Sequence, residues 1–126
     1  MAGVVVDTSV WIDFFGGKPA EELVEALSGG VVVIPPIVVA ELVSGASAQQ
    51  RGMIGELLQD APVHETPLDH WVRVGDLRRD LAKKGVAVTI PDAHVAQCAL
   101  DRDAVLLTRD ALFVQIARHT ALRLRR

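Results

Sequence analysis

A single cysteine in 126 residues excludes an internal disulfide. Cys98 lies in an Ala-rich helical pattern and reads as a small buried hydrophobe in a protein of the reducing cytoplasm. Long apolar runs are missing too. The longest, Val31 to Ala40, is too short for a bilayer and contains Pro35-Pro36, so no membrane span is expected. The N-terminus has no basic leader, and Asp7 interrupts its apolar run, which argues against a signal peptide. Positive charge is not in excess: the net charge of −3 argues against a highly basic nucleic-acid binder. No internal repeat, low-complexity tract or linker breaks the chain. Gly16-Gly17 and Gly29-Gly30 lack the spacing and the following Lys-Ser/Thr of a phosphate loop, and no serine triad is visible. His64, His70, His94 and His119 show no metal-ligand spacing and read as structural or surface groups.

What is present is apolar and regularly patterned. Half of the residues are hydrophobic and 23% are charged, the composition of a compact globule with a generous interior. This length suits one domain, residues 1–126. Val4-Val5-Val6, Val31 to Ile34 and Ala104 to Thr108 are β-branched or aliphatic runs of the kind that form strands buried on both faces. Helical patterns lie between them. Thr8 to Phe15 ends at Gly16-Gly17, Pro19 to Leu27 at Gly29-Gly30, and a helix opening at Pro35-Pro36 stops near Gly45. Ala48 to Gln59 forms a further helix, with Ile54, Leu57 and Leu58 facing in, and Val63 and its neighbours add a short strand before Pro67. Leu68, Trp71, Val72, Leu77 and Leu81 recur at helical spacing, which predicts a long amphipathic helix over Leu68 to Lys84. Thr89-Ile90-Pro91-Asp92 opens another, through Leu100, and a last helix begins near Asp110. The tail Leu122 to Arg125 alternates like an edge strand. Alternating helices and strands predict an α/β fold: three layers, α/β/α, around a central, mainly parallel sheet.

Against this apolar background four carboxylates are out of place. Asp7 ends the first strand, Asp110 follows the third, and Glu41 and Asp92 sit on helices that open with proline. In parallel α/β sheets the strand ends and the starts of the helices share one rim, where ligands bind. Each acid alone has a plainer role: Asp7 suits a helix N-cap and Asp92 the first turn of a helix dipole. Together they would repel, and no lysine is near, since Lys18, Lys83 and Lys84 are the only ones. A divalent cation resolves the repulsion, and an all-oxygen ligand set selects Mg²⁺ or Mn²⁺ over zinc. Ions so held commonly act on phosphoryl oxygens. One lowers the pKa of an attacking water and a second, about 4 Å away, steadies the leaving oxygen. Ser9 and Thr108 are placed to orient carboxylates or waters. Arginines gather at Arg78-Arg79, with Lys83-Lys84 beyond them, and at Arg118, Arg123, Arg125 and Arg126; most of these read as ordinary solvated surface, and a local basic track for phosphates is the alternative.

Asp7-Thr8-Ser9-Val10-Trp11-Ile12, Val39-Ala40-Glu41-Leu42, Pro91-Asp92-Ala93 and Leu107-Thr108-Arg109-Asp110 with Phe113 resemble the PIN-domain family in order and spacing. Within it the whole chain is similar to the VapC-type toxins of type II toxin–antitoxin pairs. The resemblance implies a Mg²⁺- or Mn²⁺-dependent endoribonuclease, usually a homodimer, inhibited by a VapB-type antitoxin whose C-terminal tail enters the active-site groove. It also implies that Asp7, Glu41 and Asp92 are the core metal ligands and Asp110 a more variable fourth. The chain departs from the family at His94, often aliphatic, and at Arg109, often asparagine; neither departure removes a carboxylate.

Three other readings compete. A phosphoacceptor signalling domain needs a lysine after a late strand, and none follows Lys84. A haloacid-dehalogenase-like phosphatase needs an aspartate where Ser9 stands. A binding module with vestigial carboxylates has no reason to keep all four.

Overall fold

A computed structural model describes residues 3–125. Met1, Ala2 and Arg126, the last a member of the C-terminal basic group, lie outside the described residues. Four parallel strands form one sheet in the order β2-β1-β3-β4, with β1 at Val4–Val6, β2 at Val32–Val33, β3 at Val105–Leu107 and β4 at Arg123–Arg125. Seven helices flank it: α1 (Thr8–Phe15), α2 (Glu21–Ser28), α3 (Pro36–Gly45), α4 (Ala48–Asp60), α5 (Leu68–Lys83), α6 (Ile90–Asp101) and α7 (Leu112–His119). The fold is the three-layer α/β/α arrangement that the alternating pattern predicts.

The register follows from burial. Val5 and Val6 have no exposed surface, and Val5 pairs with Val33 on one side and Leu106 on the other. A strand enclosed in this way has no polar face to offer, which is why the apolar runs are unbroken rather than alternating. At the sheet's edge the pattern changes: Leu124 pairs with Leu106 while Arg123 and Arg125 are exposed, so β4 presents charge where an unpaired edge would invite association. Val63 contributes only a single parallel bridge to Ile34, shorter than the strand expected there, because Pro62 and Pro67 bracket it.

Local chemistry sets the helix ends. Ser47 and Gln50 make a reciprocal capping box on α4, Thr89 Oγ1 accepts from the Asp92 N–H at the start of α6, and Gly85, at φ 81°, turns the chain out of α5 in a conformation costly for other residues. Trp11 is fully buried and stacks on Phe15 with ring centroids 6.0 Å apart, anchoring α1 to the core.

The buried stripe of α5 differs from the one its hydrophobic residues suggest. His70, Val74, Leu77 and Leu81, at intervals of four, three and four, face the core, whereas Leu68 and Val72 are 77% and 54% exposed. The helical period of the sequence places these two apolar residues, one turn apart, on the inner face. The inner face instead admits a histidine, because Asp101 on α6 accepts from it. His70 Nδ1 lies 2.7 Å from Asp101 Oδ2, and the Arg73 guanidinium and the Gln97 amide also donate to that carboxylate at 2.8–3.0 Å. Burial works to raise the Asp101 pKa, but the hydrogen bonds from Arg73, His70 and Gln97 outweigh it and bring the carboxyl down to about 2. A lowered acid pKa stabilises the fold above the ordinary carboxylate range, and the contribution is lost as pH falls toward the folded value. Asp101→Asn is therefore expected to cost about 1–3 kcal/mol in urea unfolding at neutral pH. The gap between variant and parent should close as pH falls below about 4.

Candidate active site

Helices α3, α6 and α7 each place an acidic residue near the C-terminal edge of the sheet, or follow a loop that does, and β1 ends there. Asp7 stands at the centre. Its backbone N–H donates to Leu107 O at 2.9 Å, which ties it to the end of β3, and its side chain is only 6% exposed. The carboxylate accepts three hydrogen bonds: Oδ1 from the Thr8 N–H at 2.8 Å, and Oδ2 from the Ser9 hydroxyl at 3.1 Å and the Thr108 hydroxyl at 3.0 Å. Asp7 is thus an N-cap of α1 and a buried acidic side chain at once. Ser9 and Thr108, singled out in the sequence as orienting groups, both hold its second oxygen.

Two of the other acids, Glu41 and Asp110, are linked to this centre by hydroxyls. Thr8 Oγ1 donates to Glu41 Oε1 at 2.8 Å, joining α1 to α3. Thr108 Oγ1 also accepts from the Asp110 N–H at 3.0 Å, and Asp110 Oδ1 accepts from the Leu112 N–H at 2.9 Å, which shapes the turn into α7. That turn delays α7 to Leu112, two residues beyond the helix start read near Asp110. Asp92, in the first turn of α6, is half-buried. Its pKa is raised, first by burial and then by the charges of Asp7, Asp110 and Glu41, with the Thr89 hydrogen bond opposing them. The charged groups acting on Asp92 are all carboxylates. Arg109, beside Asp110, is paired with Asp13 at 3.5 Å.

This is an oxygen-only, uncompensated anionic rim, and its chemistry fits a hard divalent cation. Among the described residues, three potential metal-ligating atoms lie within 4.8 Å of one another at His64, His70 and Cys98 and not at the rim. Thr108→Val preserves the shape of the residue but removes the hydroxyl joining Asp7 to Asp110. A 10- to 100-fold loss of divalent-metal affinity is expected, roughly the effect of deleting a group that orients a ligand, and isothermal titration with Mn²⁺ measures it.

Two contacts here add to the site residues that the sequence suggests. The bond from Thr8 to Glu41 depends on how α1 and α3 pack, which no local pattern announces. Thr89 stands three residues before Asp92, the spacing of an N-cap hydroxyl, and that signal was readable.

An α/β/α domain with an acidic cluster at the C-terminal edge of a parallel sheet is a recognisable class. The PIN domain family model matches residues 4–119, and the chain belongs to that family, whose members are generally divalent-metal-dependent nucleases. Among curated proteins none matches. Solved structures share the fold. A DNA-bound VapBC from Salmonella typhimurium aligns at TM-score 0.82 and 23% identity, over 99% of this chain and 98% of that one. VapBC2 from Rickettsia felis, bound to a DNA fragment from its promoter, aligns at 0.79 and 21%, over 97% and 96%. VapBC-5 from Mycobacterium tuberculosis, of the VapBC family of toxin–antitoxin systems, aligns at 0.71 and 23%, over 100% and 99%.

Proposed function

We propose that this PIN domain, a single unit over residues 1–126, is a cytoplasmic Mg²⁺- or Mn²⁺-dependent endoribonuclease and the toxin of a toxin–antitoxin pair. The observation that carries the reading is the gathering of acids around Asp7, to which Thr8 ties Glu41 and Thr108 ties Asp110, with the Asp92 pKa raised first by burial and then by the charges of Asp7, Asp110 and Glu41. Asp7, Glu41 and Asp92 would hold the ion, with Asp110 as a fourth carboxylate. A divalent ion bound there supplies a water of lowered pKa for hydrolysis and a counter-charge for the phosphodiester oxygens. The chain's own work is positional: Ser9 and Thr108 fix the Asp7 oxygen, Thr8 holds Glu41, and Thr89 anchors the helical turn carrying Asp92.

A cleft of ≈ 470 Å³ lined by Arg78, Arg79, Thr89 and Ile90 leads toward that turn and offers a basic track for a nucleic-acid backbone. Among the described residues no helix is long and apolar enough to cross a membrane. The test is incubation of the full chain with total cellular RNA and Mg²⁺, followed by mapping of the new ends. Discrete cleavage sites that vanish with chelator are expected, and RNA left whole at micromolar protein would reject the reading.

Partners follow from the same proposal. The structural likeness to chains solved as VapBC complexes supports a VapB-type antitoxin encoded beside this gene. Met53, Val63, Leu68 and Val72, all at least 40% exposed on α4, α5 and the segment between, support a homodimer through that side. Light scattering showing a dilute monomer would reject the dimer.

A further inference from the structure

We propose that His64, His70, His94 and Cys98 form a zinc site, separate from the acidic rim, which clasps α5, α6 and the segment following α4. One ring nitrogen each from His64 and His70, together with Cys98 Sγ, supplies three donors that lie within 4.8 Å of one another. All four residues are buried, His70, His94 and Cys98 completely and His64 to 8% exposure.

Two observations point to a ligand rather than to packing alone. His64 Nδ1 is buried with no hydrogen-bond partner among the described residues, an expense that a metal bond would remove. His70 is oriented as a metal-bound histidine is. Its Nδ1–H donates to Asp101, 2.7 Å away, which fixes the tautomer and leaves the Nε2 lone pair directed into the cluster. In the metal-free molecule that lone pair accepts from His94 Nδ1 at 2.7 Å, and Cys98 Sγ lies 3.7 Å from His94 Nε2 and 4.0 Å from His70 Nε2. Two nitrogens on a tetrahedral zinc stand ~3.3 Å apart, so His94 must draw back by about half an ångström to become the fourth ligand. Trp71, stacked on the His94 ring at 4.6 Å, covers the cluster on that side.

A mixed imidazole and thiolate set selects zinc over the hard ions suited to the rim. Burial, with the Asp101 charge adding to it, pushes the Cys98 thiol up to about 12, so it stays protonated until a metal arrives. Binding then forms a Zn–S bond and releases the thiol proton to solvent, while the histidines bind through neutral rings. The site pins the segment after α4, bridged to Ile34 through Val63, to the helix whose first turn carries Asp92.

The proposal is independent of the nuclease reading, because it concerns other residues and is tested by binding. The full chain, reduced and with any affinity tag removed, is titrated with Co²⁺ and then Zn²⁺. One equivalent of Co²⁺ is expected to give the strong visible bands of tetrahedral cobalt and a thiolate-to-cobalt charge-transfer band, both abolished by one equivalent of Zn²⁺. The double variant Asp7→Asn, Asp92→Asn should keep both signals, Cys98→Ser should lose the charge-transfer band, and His64→Gln should weaken Zn²⁺ binding by at least about tenfold. Circular dichroism confirms that each variant is folded, and the band in the parent protein stands as evidence whether or not Cys98→Ser folds. Cobalt bound without a charge-transfer band, or bound metal wholly lost in the rim double variant, would overturn the proposal and leave the cluster a hydrogen-bonded core of histidines.

Discussion

Asp92→Asn is expected to lower RNA cleavage by roughly 10³-fold or more, while the metal-free protein stays as stable as the parent or becomes more so. The two halves have one cause. In the parent, burial and three neighbouring carboxylates oppose ionisation of Asp92. An amide keeps the size and the backbone contacts of the residue, including its N–H bond to Thr89, but removes the charge that both repels its neighbours and binds the cation. Substitution at a packing position would instead lower activity by unfolding the protein. Asp7→Asn and Glu41→Gln should abolish cleavage likewise. Cleavage rate and urea midpoint measured on the same preparation separate the cases, and an Asp92→Asn protein that cuts RNA at the parental rate would refute the site.

Saturating Mg²⁺ should raise the melting temperature of the parent by about 10 °C. An ion bound only by the folded state contributes about 2.7 kcal/mol at a hundred times its dissociation constant, which for a chain of this size corresponds to a shift of that order. The pH dependence carries the sign. Because the Asp92 carboxyl is raised in the folded state, its contribution favours folding at acid pH and is lost as pH rises through the raised value, where the group must ionise against burial and repulsion. The metal-free protein is penalised there and the cation relieves it, so the Mg²⁺-induced rise should grow from acid to neutral pH. Differential scanning calorimetry with Mg²⁺ compared against NaCl at matched ionic strength, at each pH, measures this, since general screening is then common to both samples and only the bound ion differs. In Asp92→Asn the rise should shrink to a few degrees.

Much of the molecule was legible in its sequence because its signals are local. Val4–Val6 and Val105–Leu107 were readable as buried strands because no polar residue interrupts them, and the helix ends because Gly16, Gly85, Pro36 and Thr89 each do one geometrical job. The four acids stood out for the opposite reason, as charges at the margins of apolar runs. What escaped depends on distance along the chain. His64, His70 and Cys98 come from three different parts of the sequence, and only His94 and Cys98, one helical turn apart, left a local trace. The inner face of α5 is not legible locally, because Leu68 and Val72 match a helical period yet are exposed, while the buried residue is His70. Only the carboxylate of Asp101, supplied 31 residues later, makes that histidine an interior residue.

The central claim, that acids scattered through the chain surround one hard cation, is tested most directly by anomalous scattering from crystals grown with Mn²⁺. The account predicts a manganese peak bounded by the side chains of Asp7, Glu41 and Asp92, with Asp110 nearby. Manganese bound elsewhere on the protein, with those carboxylates turned to separate surfaces, would contradict it.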